Sequence, residues 1–209
     1  MYDLYVVTDE ALSRGLTHAE IARRAVAGGA NVIQLRDKDK SSRELYETAC
    51  EMREICRDQA LFFVNDRLDI ALAAGADGVH LGQDDLPIEA ARRLAPQNFL
   101  IGISVGNADE ASAAESAGAD YVAVSPVFST PSKTDAGVGH GVAAIRDIRA
   151  AVKCPVIGIG GINAANSAEL IEAGLDGVAV ISAVVSAPDV TAAAQNLSAI
   201  IRDAKERRV

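Results

Sequence analysis

Residues 73–81 read AAGADGVHL, and the phrase returns as AGGANVIQL at 27–35, SAGADYVAV at 116–124 and EAGLDGVAV at 172–180. Each copy has a glycine, one small or apolar residue, an Asn or Asp, and then an apolar run. Recurrence of this kind marks a fold built from repeated supersecondary units. A glycine just past a helical pattern fits a helix C-terminus, and the apolar run after it fits a buried strand. The glycines, Gly29, Gly75, Gly118 and Gly174, lie 46, 43 and 56 residues apart. A strand, a short loop and a helix need only about half of that. Each interval should therefore hold two βα units. The intervening sequence supplies the other strands: LFFVND at 61–66, FLIGIS at 99–104 and PVIGIGG at 155–161, with LYVVTD at 4–9 ahead of them all.

Eight strands alternate with helical, alanine-rich stretches such as HAEIARRAVAGG, SRELYETACEMREICRD and NSAELIEAGL. Buried parallel strands in such an order predict a single α/β domain over residues 1–209, a (β/α)₈ (TIM) barrel. An open doubly wound sheet is the competing fold, but no G-x-G-x-x-G follows the first strand. The chain of 209 residues is 49% hydrophobic, enough for one sizeable core. Its net charge of −9 argues against a general nucleic-acid binder, which would carry a basic face. Cys50, Cys56 and Cys154 have no metal-type spacing, and their odd number argues against a disulfide framework. No apolar run approaches a membrane span, and MYDLYVVTDE lacks the basic start of a signal peptide. The expectation is a cytoplasmic protein acting on small molecules; the sequence leaves a homo-oligomer open.

In a barrel the chemistry gathers at the C-terminal strand ends. Strand 1 ends in Thr8–Asp9. In VIQLRDKDK, residues 32–40, Gln34, Arg36 and Lys38 alternate where the apolar run gives out. Strand 3 ends in Asn65–Asp66, strand 4 runs into HLGQDD at 80–85, and strand 5 delivers Ser104. Strand 6 leads into SPVFSTPSKTD at 125–135, strand 7 ends at Gly160–Gly161, and strand 8 at Ile181–Ser182. Asp66 and Asp85 (or Asp84) end neighbouring strands, so their carboxylates could share an Mg²⁺. They could equally cap the helices beginning near Arg67 and Pro87. Arg36 suits a phosphate bidentately, while Lys38 and Lys133 would act as point charges. The glycines of GIGGIN at 158–163 let backbone N–H groups approach an anion at the start of helix 7, and Ser182 does so before helix 8. The strand ends thus suggest two anionic groups, one beside a metal near strands 2 to 4 and one near strands 6 to 8.

QLRDK at 34–38, ND at 65–66, GVHLGQDD at 78–85, IGIS at 101–104, TPSK at 130–133, IGGI at 159–162 and VIS at 180–182 together resemble the thiamine phosphate synthase family. The motifs stand in the family's order over almost the whole chain. The resemblance implies a (β/α)₈ barrel and a transferase. Such an enzyme condenses 4-amino-2-methyl-5-hydroxymethylpyrimidine diphosphate with 4-methyl-5-(2-phosphoethyl)thiazole, or its carboxylated form, and releases pyrophosphate. It further implies that the 34–38 segment (Gln34, Leu35, Arg36, Asp37 and Lys38), with Asn65, Ser104 and Lys133, holds the pyrimidine diphosphate. Arg36, Lys38, Lys133 and Ser104 would be catalytic. Thr130, Pro131, Ser132, Gly161, Ile181 and Ser182 would hold the thiazole phosphate, and Asp66 and Asp85 would bind Mg²⁺. The usual Thr-x-Thr-Lys of the strand-6 loop is here Thr130-Pro131-Ser132-Lys133, which keeps a hydroxyl. Two rivals are a thiazole tautomerase-like relative, which would need a placed base, and a non-enzymatic phosphate-ligand binder. His80 is the nearest candidate base, and it reads as a packed strand-4 residue.

Overall fold

The computed structural model describes residues 2–130 and 139–208. Eight parallel strands close into a barrel in sequence order: β1 (Leu4–Thr8), β2 (Val32–Leu35), β3 (Leu61–Asn65), β4 (Gly78–Leu81), β5 (Leu100–Val105), β6 (Tyr121–Val124), β7 (Val156–Ile159) and β8 (Gly177–Val180). Around them lie α1 (His18–Ala27), α2 (Ser42–Cys56), α3 (Leu68–Ala73), α4 (Ile88–Leu94), α5 (Ala108–Ser116), α6 (Gly141–Ala151), α7 (Ser167–Glu172), α8 (Ser182–Val185) and α9 (Val190–Arg208). The strands are buried on both faces, which is why they read as continuous apolar runs. All eight strands fall where the sequence reading puts them. Cys50, Cys56 and Cys154 are free thiols.

The recurring phrase is a joint, and its parts have separate duties. Gly29, Gly75, Gly118 and Gly174 have φ of 91°, 66°, 99° and 126°, the left-handed backbone that glycine adopts without a Cβ penalty. Around each, the helix closes by the same pair of bonds. Gly118 N–H donates to the Glu115 carbonyl and Ala119 N–H reaches back to Ala114, and the other three joints repeat this pattern. The next residue, Ala30, Ala76, Ala119 or Leu175, is buried as the hydrophobic contact of the motif. The Asn or Asp then ties down the preceding strand. Asn31 accepts from Leu4 N–H, Asp77 from Phe62, Asp120 from Ile101 and Asp176 from Val156. Arg53, Arg92 and Arg149 pair with the three aspartates. All of this lies at the N-terminal rim of the barrel.

Ladder partners share a face, so the register identifies the inward set. Val7 pairs with Gln34, Gln34 with Phe63, Asn65 with His80, His80 with Gly102, Ser104 with Ala123, Ala123 with Ile157, Ile159 with Ala179, and Ala179 with Tyr5. The rings of Tyr5, Phe63 and Tyr121 fill the interior with centroids 5.7–6.2 Å apart. Small residues opposite make room for them. A Cβ at Gly102 would lie 2.0 Å from Tyr121 Cζ, and one at Gly78 would lie 2.4 Å from Phe63 Cε1.

Candidate functional site

Two cavities open side by side at the C-terminal mouth. One, about 330 Å³, is polar and lies over β2 to β5. Arg36, Lys38, Asn65, Asp66, His80, Gln83, Asp84, Asp85 and Ser104 line it. The other, about 220 Å³, is mostly apolar and lies over β6 to β8. Thr130, Ile159, Gly160, Gly161, Ile162, Asn163, Ile181 and Ser182 line it. Ser125, just after β6, borders both. The division groups the strand-2-to-5 residues apart from those of strands 6 to 8.

Asp66 follows β3 with φ of 60°, an uncommon backbone for a residue other than glycine. Its N–H donates to the His80 carbonyl at 2.8 Å, which holds the turn against β4. Asp85 lies in the loop after β4, where it accepts the Gly82 N–H at 2.7 Å. The two carboxyl groups meet. Burial, then the adjoining Asp85 carboxyl, push the Asp66 pKa up to about 6, against the pull of Lys38 and Arg36. The capping alternative fails for both acids. The residue preceding α3 is Arg67 and that preceding α4 is Pro87, and neither helix start has a side-chain cap. Two half-buried carboxyl groups with no helix end to serve, crowded enough to raise a pKa, fit an oxygen-ligated divalent cation.

Arg36 is mostly buried, with Asp9 at 3.9 Å, while Lys38 is exposed. The loop carrying them is pinned from below. Among the described residues, Glu10, His18 and Asp37 form the one group of three metal-type ligands within reach of each other. Lys40 occupies the cation's place there, with Nζ 2.7 Å from Glu10 and 3.2 Å from Asp37. His18 Nδ1 lies 2.7 Å from Thr8 Oγ1, which donates to the Gln34 carbonyl, and its Nε2 lies 3.0 Å from Asp37 Oδ2. Burial alone would raise the Asp37 pKa. The bonds from His18, the Lys40 and Asp39 N–H groups and the Lys40 ammonium override it and hold the carboxyl well below the usual range.

The structure thus brings Arg36, Lys38, Asn65, Asp66, Asp85 and Ser104 to one cavity and Thr130, Gly161, Ile181 and Ser182 to the other. It does not bring the rest of the 34–38 segment with them. Gln34 lies beneath the cavity inside the barrel, with its Nε2 on Tyr5 Oη. Leu35 pairs with Thr8 on the outer face and is wholly buried, since alternate strand residues point oppositely. Asp37 is turned into the pinning cluster. Pro131, Ser132 and Lys133 lie outside the described residues. Gly161 is not at the start of α7, because Ile162–Asn166 intervene. Ser182 is the first residue of the single-turn α8, not the residue before it. His80 is packed in β4 as expected, yet it also reaches the polar cavity, where Nε2 lies 3.0 Å from Ser104 Oγ. Ser125, Gln83 and Asn163 also line the cavities; each falls inside a quoted stretch, SPVFSTPSKTD, HLGQDD and GIGGIN, but none is singled out from it.

The family model described as thiamine monophosphate synthase matches residues 4–184. The chain is 62% identical over 205 residues to the thiamine-phosphate synthase of Methanoculleus marisnigri, covering 98% of this chain and 97% of that one. It is 60% identical over 201 residues to that of Methanocella arvoryzae, covering 96% and 95%. Among solved structures, thiamine phosphate pyrophosphorylase from Pyrococcus furiosus superposes with a TM-score of 0.90 at 46% identity, over 97% of this chain and 96% of that one. With a family model over most of its length and relatives of this identity end to end, the chain belongs to the thiamine monophosphate synthase family.

Proposed function

We propose that the chain joins the hydroxymethylpyrimidine diphosphate to the thiazole phosphate, with Mg²⁺, forming thiamine phosphate and pyrophosphate. The observation that carries this is the paired cavity. A cation- and acid-lined chamber adjoins an apolar chamber across Ser125, as two different substrates that must touch would require. Arg36 and Lys38 suit the diphosphate. As the C–O bond breaks, its electron pair leaves with pyrophosphate, and these cations meet the charge that builds there. Asp66 and Asp85 would hold Mg²⁺, which supplies charge neutralisation at the diphosphate oxygens. The electron-rich pyrimidine delocalises the positive charge left on its methylene carbon. The thiazole nitrogen then donates its lone pair to that carbon, forming the C–N bond. No protein nucleophile is needed. Among the described residues neither chamber is lined by a cysteine, and both ring nitrogens of His80 are engaged, which disfavours a tautomerase's free base.

The test is turnover of the purified chain with both substrates. Thiamine phosphate should form with stoichiometric pyrophosphate, and only with Mg²⁺. Asp66→Asn and Asp85→Asn should each lower the rate at least ~10²-fold, the scale of losing one preorganised charge-stabilising group. No product from the wild type sinks the reaction. A near-normal rate from either variant at limiting Mg²⁺ sinks only the metal assignment.

A further inference from the structure

A single file of hydrogen bonds runs through the barrel interior to the floor of the polar cavity. Gln34 Nε2 donates to Tyr5 Oη at 2.7 Å. Tyr5 Oη lies 3.2 Å from Tyr121 Oη, which lies 2.8 Å from His80 Nδ1. His80 Nε2 lies 3.0 Å from Ser104 Oγ, at the cavity. Gln34 is 3% exposed, Tyr5 1%, Tyr121 0% and His80 7%, so the members of the chain satisfy one another. Burial holds both phenols far above their ordinary pKa, which keeps their protons in place.

The order of donors follows from valence. An amide nitrogen can only donate, so Tyr5 accepts from Gln34 and passes its one proton to Tyr121. Tyr121 passes its own to His80 Nδ1. That nitrogen is then an acceptor, so the neutral imidazole carries its proton on Nε2 and gives it to Ser104 Oγ. The hydroxyl proton of Ser104 is left for the cavity. Among these hydrogen bonds, this order gives every donor an acceptor once the amide is set. The ring stack keeps the file in line: Tyr121 lies against His80 with centroids 5.6 Å apart and fits against Gly102.

We infer that Gln34, Tyr5 and Tyr121 are positioning residues that hold His80 as its Nε2–H tautomer, so that Ser104 presents a hydrogen-bond donor to the bound ligand. The cavity floor therefore selects a ligand with an acceptor atom there. The assignment of that atom to a pyrimidine ring nitrogen rests on the proposed reaction; the tautomer does not.

The experiment is ¹⁵N NMR of His80 in the full chain without substrates, beside kinetics. In the wild type Nδ1 should give the shift of a bare acceptor nitrogen and Nε2 that of a protonated one. Tyr121→Phe should abolish this preference and lower kcat/KM for the pyrimidine diphosphate about tenfold, the scale of one neutral hydrogen bond. Tyr5→Phe, one step further back, should weaken the preference. Phe63→Leu, which disturbs the same packed layer but removes no hydrogen bond of the file, should leave the tautomer unchanged. Protonated Nδ1 in the wild type overturns the inference, as does an unchanged tautomer in a folded Tyr121→Phe. If the wild type shows the expected tautomer but no turnover, the proposed reaction fails and the relay stands.

Discussion

Asp66 shows how one residue's surroundings can oppose its charge. Its pKa of about 6 lies above the ordinary 3.8 because of burial and the Asp85 carboxyl beside it. Such a group keeps its proton in the fold at pH values where the unfolded chain has lost it. Stability therefore falls as pH rises from about 4 to about 6 and stays lowered above that. Asp66→Asn removes this cost, and Asn tolerates the left-handed backbone equally well. In metal-free buffer the variant should exceed the wild type at pH 8 by roughly 1 kcal/mol, discounted for the solvent that reaches the group. That is about 2–4 °C in Tm for a chain of this size. The curves should merge near pH 4, and a variant less stable than wild type at pH 8 would contradict the crowding. The sequence shows that two acids end adjacent strands, and it leaves capping and metal binding equally open. The helix starts at Arg67 and Pro87 speak against capping. His80 was legible as a packed strand residue, while its second duty at the cavity depends on Ser104, two dozen residues away in sequence and adjacent only in the barrel.

At the scale of elements, the repeated joint was readable as a helix stop followed by a strand. Its Asn or Asp was not readable as a clasp, because the N–H it accepts belongs to the strand before the helix. Asp176 is a clear case: Oδ2 accepts from Val156 N–H at 2.9 Å and from Arg149 at 2.7 Å. Asp176→Ala should cost about 1–3 kcal/mol by leaving these donors unmet, measured by chemical denaturation. Because the joint lies on the rim opposite the cavities, kcat/KM should stay within twofold of wild type. A large loss of kcat/KM in the folded variant would mean that the rims are coupled. The strands were legible for a plain reason: a run buried on both faces has few ways to be written. The starts of the short α7 and α8 were not. GIGGIN reads as a phosphate-type loop directly before a helix, but an Asn-rich turn separates the two, with Asn166 Oδ1 accepting from Asn163 N–H.

At the scale of the whole molecule, the mouth divides into halves by strand number, β2 to β5 against β6 to β8, and substitutions should sort accordingly. Arg36→Ala should weaken binding of the pyrimidine diphosphate at least ~10-fold, the scale of losing a charge-assisted bond, and spare the thiazole phosphate. Ser182→Ala should do the reverse. Calorimetry of each ligand with each free variant decides it, and equal damage to both ligands would undo the division. The division was foreseen from the order of residues along the chain, since a barrel places successive strand ends around a circle. What joins the halves was not foreseen. Ser125 is the one described residue common to both walls, so its side chain stands where the two cavities adjoin. A larger residue there would make a closed door between two furnished rooms: each occupant could still be seated, and the two would never meet.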